Sequence, residues 1–119
     1  MTLDIIRRGP LSFPIRIVTV TVHDDVTITA LYRHLLALPV QPTWVPGTYV
    51  NCPVDTDLSY DMTFYHDTKL LLHASAYPTG CSSVTLGKND LRECDLYVRM
   101  TLLNLVNAAI GVPTAAYTP

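Results

Sequence analysis

Charge is scarce in this chain. Asp, Glu, Lys and Arg make up 15% of its 119 residues, where an ordinary globular domain carries about 25%. A composition so apolar (49%) does not suit a disordered polymer, and it leaves surface that a partner could bury. An excess of either sign is missing too. Eight basic and ten acidic residues give a net charge of −2, which excludes the broad basic surface of a non-specific nucleic-acid binder. No nucleic-acid partner is therefore expected, and no charged tail suggests electrostatic recruitment.

Long apolar runs are absent as well. Met1 to Pro14 contains Asp4, Arg7, Arg8 and Pro10, with no continuous secretory core. The longest apolar segment, Leu96 to Ile110, spans about 15 residues and is broken by Arg99 and Asn104, too short and polar for a membrane span. The chain is expected to be cytoplasmic as it stands, and extracytoplasmic or secreted if a leader has been removed.

Chemical signatures are equally thin. With no C-x-x-C, neither a zinc ribbon nor a thioredoxin-like redox pair is suggested. No G-x-S-x-G, P-loop or G-x-G-x-x-G occurs, and His23, His34, His66 and His73 form neither H-x-x-x-H nor H-E-x-x-H. Asp55, Asp57, Ser59 and Asp61 fall at alternate positions of a calcium-loop register. That register then requires glycine where Tyr60 stands and glutamate where His66 stands. No metal, cofactor or catalytic residue is assigned on these grounds.

What is present reads as one domain over residues 1–119, with an irregular N-terminal arm (1–14) and an irregular tail (112–119). Ile15 to Val22 is β-branched almost throughout and predicts a strand with Val18, Val20 and Val22 on one face. Asp24 and Asp25 supply acidic N-cap chemistry for a helix over Val26 to Leu38, where Ile28, Leu31, Leu35 and Leu38 recur at helical spacing. Pro39 and Pro42 stop that helix. A long loop carrying Trp44 follows.

Leu58, Tyr60, Met62 and Phe64 alternate with Ser59, Asp61, Thr63 and Tyr65, and Leu70, Leu72, Ala74 and Ala76 alternate with Lys69, His73, Ser75 and Tyr77. His66-Asp67-Thr68 joins them as a hairpin turn. Val84 to Leu86 adds a short strand. Asn89 or Asp90 is expected to cap a last helix over Leu91 to Ile110, closed by Gly111 and Pro113. The expected fold is thus α+β, in the order β-α-β-β-(β)-α: a mostly antiparallel sheet of about four strands, two helices packed on one face.

Three cysteines leave at most one intramolecular disulfide and an odd thiol. Directly paired residues of a hairpin share a constant index sum, and Cys52 with Cys81 gives 133. The apolar faces ask for an even sum, 132 or 134, because an odd one pairs buried with exposed side chains. A bulge near Pro53, Pro78 or Gly80 reconciles the two. Either register leaves the pair within disulfide reach, and the bond would close a loop of about 30 residues, for roughly 3 kcal/mol. Two reduced thiols, or a bond through Cys94, remain the alternatives.

The stretch Cys52-Pro53-x-Asp55-x-Asp57-x-x-Tyr60-x-Met62-x-Phe64, followed by Gly80-Cys81-x-x-Val84, resembles a pattern in poorly characterised actinobacterial and Chloroflexi proteins. Many of those look like extracytoplasmic or lipoprotein-type domains. Their pattern reads C-P-x-D-x-G-x-x-Y-x-L-x-F and G-C-x-x-V after a helix ending in Leu-Pro, which Leu38-Pro39 matches. This sequence has Asp57 in place of the usual glycine and Met62 in place of leucine. The resemblance covers roughly residues 25–85. It implies an oxidised Cys52–Cys81 pair outside the cytoplasm and no particular activity.

Two surfaces remain as functional candidates. Tyr65 and Tyr77 alternate away from the apolar face of the hairpin and, with Trp44 and Tyr49, suggest an aromatic recognition patch. His73 also faces outward, opposite or diagonal to Asp61. Such a pair can support acid–base chemistry, although cross-strand polar pairing is its commoner role. The expected function is a non-enzymatic module that binds a protein partner or forms a homo-oligomer. The alternative is a small hydrolase-like enzyme using His73 with Asp61.

Overall fold

A computed structural model describes residues 1–9, 17–40, 58–77, 83–93 and 96–111. In chain order the elements are β1 (Thr2–Arg8), β2 (Ile17–Val22), α1 (Asp25–Leu36), β3 (Ser59–His66), β4 (Lys69–Tyr77), β5 (Ser83–Leu86), β6 (Asp90–Glu93) and α2 (Leu96–Ile110). All six strands join one sheet, ordered β2-β1-β3-β4-β5-β6, and each neighbouring pair is antiparallel. The class is α+β. No helix among the described residues is long and apolar enough to cross a membrane.

Alternation decides which face is covered. Leu3 and Ile5 of β1, Val22 of β2, Tyr60, Met62 and Phe64 of β3, Ala74 and Ala76 of β4, and Val84 and Leu86 of β5 are buried. They share one core with Ile28, Leu31 and Leu35 of α1 and Leu102 and Val106 of α2, so both helices lie on the same side. Tyr32 sets its ring edge-on to Phe64, 5.4 Å between centroids and 72° between planes.

The N-terminal segment is the largest correction. In place of an irregular arm over 1–14, Thr2–Arg8 forms β1, paired with β2 on one side and β3 on the other. The charges of Asp4, Arg7 and Arg8 obscure an alternation of Leu3, Ile5 and Arg7, and even Arg7 is 1% exposed. Its guanidinium carbon lies 6.0 Å from the centroid of Tyr60, its direct cross-strand neighbour, at the outer limit of a cation–π contact.

The strand count rises from about four to six because of β1 and β6. Residues 91–93, expected to begin the last helix, instead pair with β5 together with Asp90, after a turn over 87–89 in which Gly87 takes φ 64°. Neither Asn89 nor Asp90 caps a helix. Arg92 explains the difference. Its Nη1 donates to the carbonyls of Leu36 (3.1 Å) and Leu38 (2.7 Å), closing the C-terminal end of α1. Its Nε and Nη2 grip Asp90 at 2.8 and 3.0 Å, a hydrogen-bonded pair that holds the Asp90 carboxyl below its ordinary range. At the other end of the chain Gly111 takes φ 73° and ends α2 as expected.

The β3–β4 hairpin keeps the expected parity at a different register. From Tyr60–Ala76 to Phe64–Leu72 the paired indices sum to 136, not 132 or 134. The turn is Asp67-Thr68 alone, and Asp67 takes the positive φ (54°) that a tight turn needs. Beyond it the ladder slips by one residue at Phe64/Tyr65, leaving Leu71 unpaired. That bulge returns Phe64 and Leu72 to the core side and places Leu70 in solvent, where the simple alternation had buried it. The expected bulge near Pro53 or Pro78–Gly80 lies outside the described residues, as do Cys52, Cys81, Cys94 and the 112–119 tail.

Candidate functional site: the uncovered face of the sheet

Opposite the helices, the register sets side chains of β2, β1, β3, β4, β5 and β6 in rows across the sheet. Thr19, Ile6, Asp61, Ser75, Thr85 and Leu91 form one row; Thr21, Asp4, Thr63 and His73 form the next. This face carries the only serine, histidine and carboxylate that meet among the described residues.

Asp61 is the hub. Arg8 Nη1 donates to its Oδ2, Ser75 Oγ donates to its Oδ1 at 2.8 Å, and His73 Nε2 lies 3.7 Å from Oδ1. His73 Nδ1 is 3.0 Å from Thr63 Oγ1, and its Nε2 is 3.4 Å from Ser75 Oγ. The structure thus brings His73 and Asp61 together on the diagonal, His73 sitting opposite Thr63 and Asp61 opposite Ser75. Farther along, Thr21 Oγ1 donates to Asp4 Oδ1 at 2.8 Å, another cross-strand bond on the same face.

The wiring differs from that of an activated nucleophile. There, a base takes the hydroxyl proton at one ring nitrogen while a carboxylate orients the other. Here the Ser75 proton goes to Asp61 itself, the second ring nitrogen of His73 meets a threonine, and Arg8 balances the carboxylate. Arg8 and His73 are both over two-fifths exposed, so bulk water reaches the cluster. Its donors and acceptors satisfy each other across three strands, which stabilises the sheet.

Of the expected aromatic residues, Tyr65 is half-buried and Tyr77 exposed, both on this face. They stand at opposite ends of the hairpin, roughly 20 Å apart along the strands, so they do not form one patch. Trp44 and Tyr49 lie outside the described residues. The exposed apolar side chains Ile17, Leu70, Tyr77 and Leu91 instead surround the polar cluster.

Several residues of the cluster escaped the sequence reading. Thr63 and Ser75 have the same parity as Asp61 and His73 and could have been found from it. Arg8 could not, because its strand was read as an arm. His34 on α1 is half-buried with Nε2 enclosed. Among the described residues no group of three or more His, Cys, Asp or Glu side chains could hold a metal ion. Comparison with protein-family models, curated proteins and solved structures finds no match.

Proposed function

We propose that the domain is a non-enzymatic binding module, working outside the cytoplasm, that meets a protein partner through the helix-free face of its sheet. One observation carries the reading: both helices cover the same side, and exposed Ile17, Leu70, Tyr77 and Leu91 stand on the other around a polar centre. Such a face is wide, rigid and already paired internally, so docking on it requires little reordering. Arg8, Asp61 and His73 offer the partner charge and hydrogen bonding without unpaired buried groups. The extracytoplasmic placement rests on the Cys52–Cys81 resemblance.

The test immobilises the full chain and exposes it to the surface-protein fraction of its source organism. A Tyr77→Asp/Leu91→Asp variant should lose the retained protein, while Leu36→Asp, on the helix side, should keep it. Equal retention by both variants would reject the face as the contact surface. Thiol titration under denaturing conditions without reductant checks the compartment: one free thiol supports it, three refute it.

A further inference from the structure

The two edges of the sheet are built differently. At one edge, β6 carries Asp90, Arg92 and Glu93 within four residues, and Val40 bridges to Arg92 outside it. Charged side chains and a covering segment are the usual protection of an edge against pairing with another chain. At the other edge, β2 reads Ile17-Val18-Thr19-Val20-Thr21-Val22. It has no charge, no proline and no glycine, and its burial alternates without a bulge. Among the described residues no strand pairs with its outer side.

Its side chains also look unfinished. Val18 and Val20 point to the helix-covered side yet remain half-exposed, because the sheet stops there. Ile17, Thr19 and Thr21 stand exposed on the opposite side. Strand composition of this kind, β-branched and uncharged over six residues, strongly favours further pairing.

We infer that β2 is a homodimerisation edge, pairing antiparallel with β2 of a second copy to make one continuous sheet of twelve strands. The sequence is self-complementary under a two-fold axis. Centring the axis on Val20 sets Val18 against Val22 of the second copy and Thr19 against its Thr21; centring it on Thr19 sets valine against valine and Thr19 against Thr19. The register centred on Val20 keeps valines with valines on the helix side and hydroxyls with hydroxyls on the other, whereas the one centred on Thr19 sets Ile17 against Thr21 and is the poorer match. Such pairing completes the burial of Val18 and Val20, and it satisfies the outward amides and carbonyls of β2. A partner strand of unrelated sequence gains only the backbone ladder. The second copy gains the side-chain match as well, at an isologous interface that closes at two. The edge adjoins the sheet face proposed above through Ile17, Thr19 and Thr21, but pairing is read at the outward amides of β2 and the face is tested at Tyr77 and Leu91, so either surface can fail without the other.

Sedimentation equilibrium and hydrogen exchange on the full chain test this. The wild type should dimerise with concentration, and the alternate β2 amides that point away from β1 should gain protection together with it. Thr19→Lys/Thr21→Lys should weaken association several-fold by setting like charges across the axis. Mixing it with Thr19→Glu/Thr21→Glu should restore a heterodimer, which a mere folding defect would not allow. A wild type monomeric at every concentration overturns the inference. So does a dimer whose outward β2 amides stay unprotected, a result that stands even if the charged variants do not fold.

Discussion

Removing the Tyr60 hydroxyl probes how α2 is fixed to the sheet. Tyr60, 1% exposed on β3, donates to Asn107 Oδ1 of α2 at 2.8 Å, and Asn107 is fully buried. Among the described residues the Asn107 amide nitrogen has no hydrogen-bond partner, so this side chain already carries one cost of burial. Tyr60→Phe keeps the ring beneath Arg7 and removes the hydroxyl that donates to Asn107. A buried carbonyl oxygen then loses its bond, which costs about 1–2 kcal/mol. Asn107→Leu, close in volume, removes the acceptor together with the orphaned nitrogen, so its cost is smaller. In Tyr60→Phe/Asn107→Leu no polar atom of this pair remains, and stability should return to wild type or exceed it.

Urea unfolding followed by circular dichroism reads these differences. With a slope of about 1–3 kcal/mol per molar urea, Tyr60→Phe should lower the midpoint by about 0.5–1 M at unchanged slope. The double variant should recover most of that loss, a coupling measurable by the four-member cycle. A Tyr60→Phe midpoint equal to wild type, or a double variant as unstable as the two losses combined, would refute the reasoning.

Asp24 gives a pH prediction. The Thr27 hydroxyl bond holds its carboxyl below the usual 3.8, and the Val26 and Thr27 amides add to the lowering although neither closes a full capping bond. A depressed folded-state value stabilises above the unfolded one and is lost as pH falls through the folded one. Asp24→Asn should therefore be less stable than wild type at neutral pH, with the gap closing below about pH 4, read as urea midpoints across pH. Asp67 gives another: at φ 54° in the hairpin turn, Asp67→Ala should cost about 1 kcal/mol, whereas Asp67→Gly should match or exceed wild type in thermal melts.

Much of the scaffold was legible along the chain. The helical spacing of Ile28, Leu31 and Leu35, the alternation through Tyr60, Met62 and Phe64, and the stop at Gly111 each depend on residues within a few positions of one another. Local geometry suffices for those, and they were enough to place the chain in the α+β class with both helices on one face. Parity alone also brought His73 near Asp61, because any even register keeps them on one side of the hairpin.

Other features belong to contacts between distant segments. Arg7 reads as a charged residue of an arm until Tyr60, over fifty residues away, lies beside it; only then does Thr2–Arg8 become an inner strand. Arg92 reads as helix until its guanidinium finds the carbonyls at the end of α1. The Arg8–Asp61–Ser75 bonds depend on strands β1, β3 and β4 lying side by side in one register. Sequence by itself determined the periodicities, since these follow from the backbone's own repeat. The tertiary structure decided which charged residues could enter the sheet, because burying or pairing a charge is settled by the partner that reaches it.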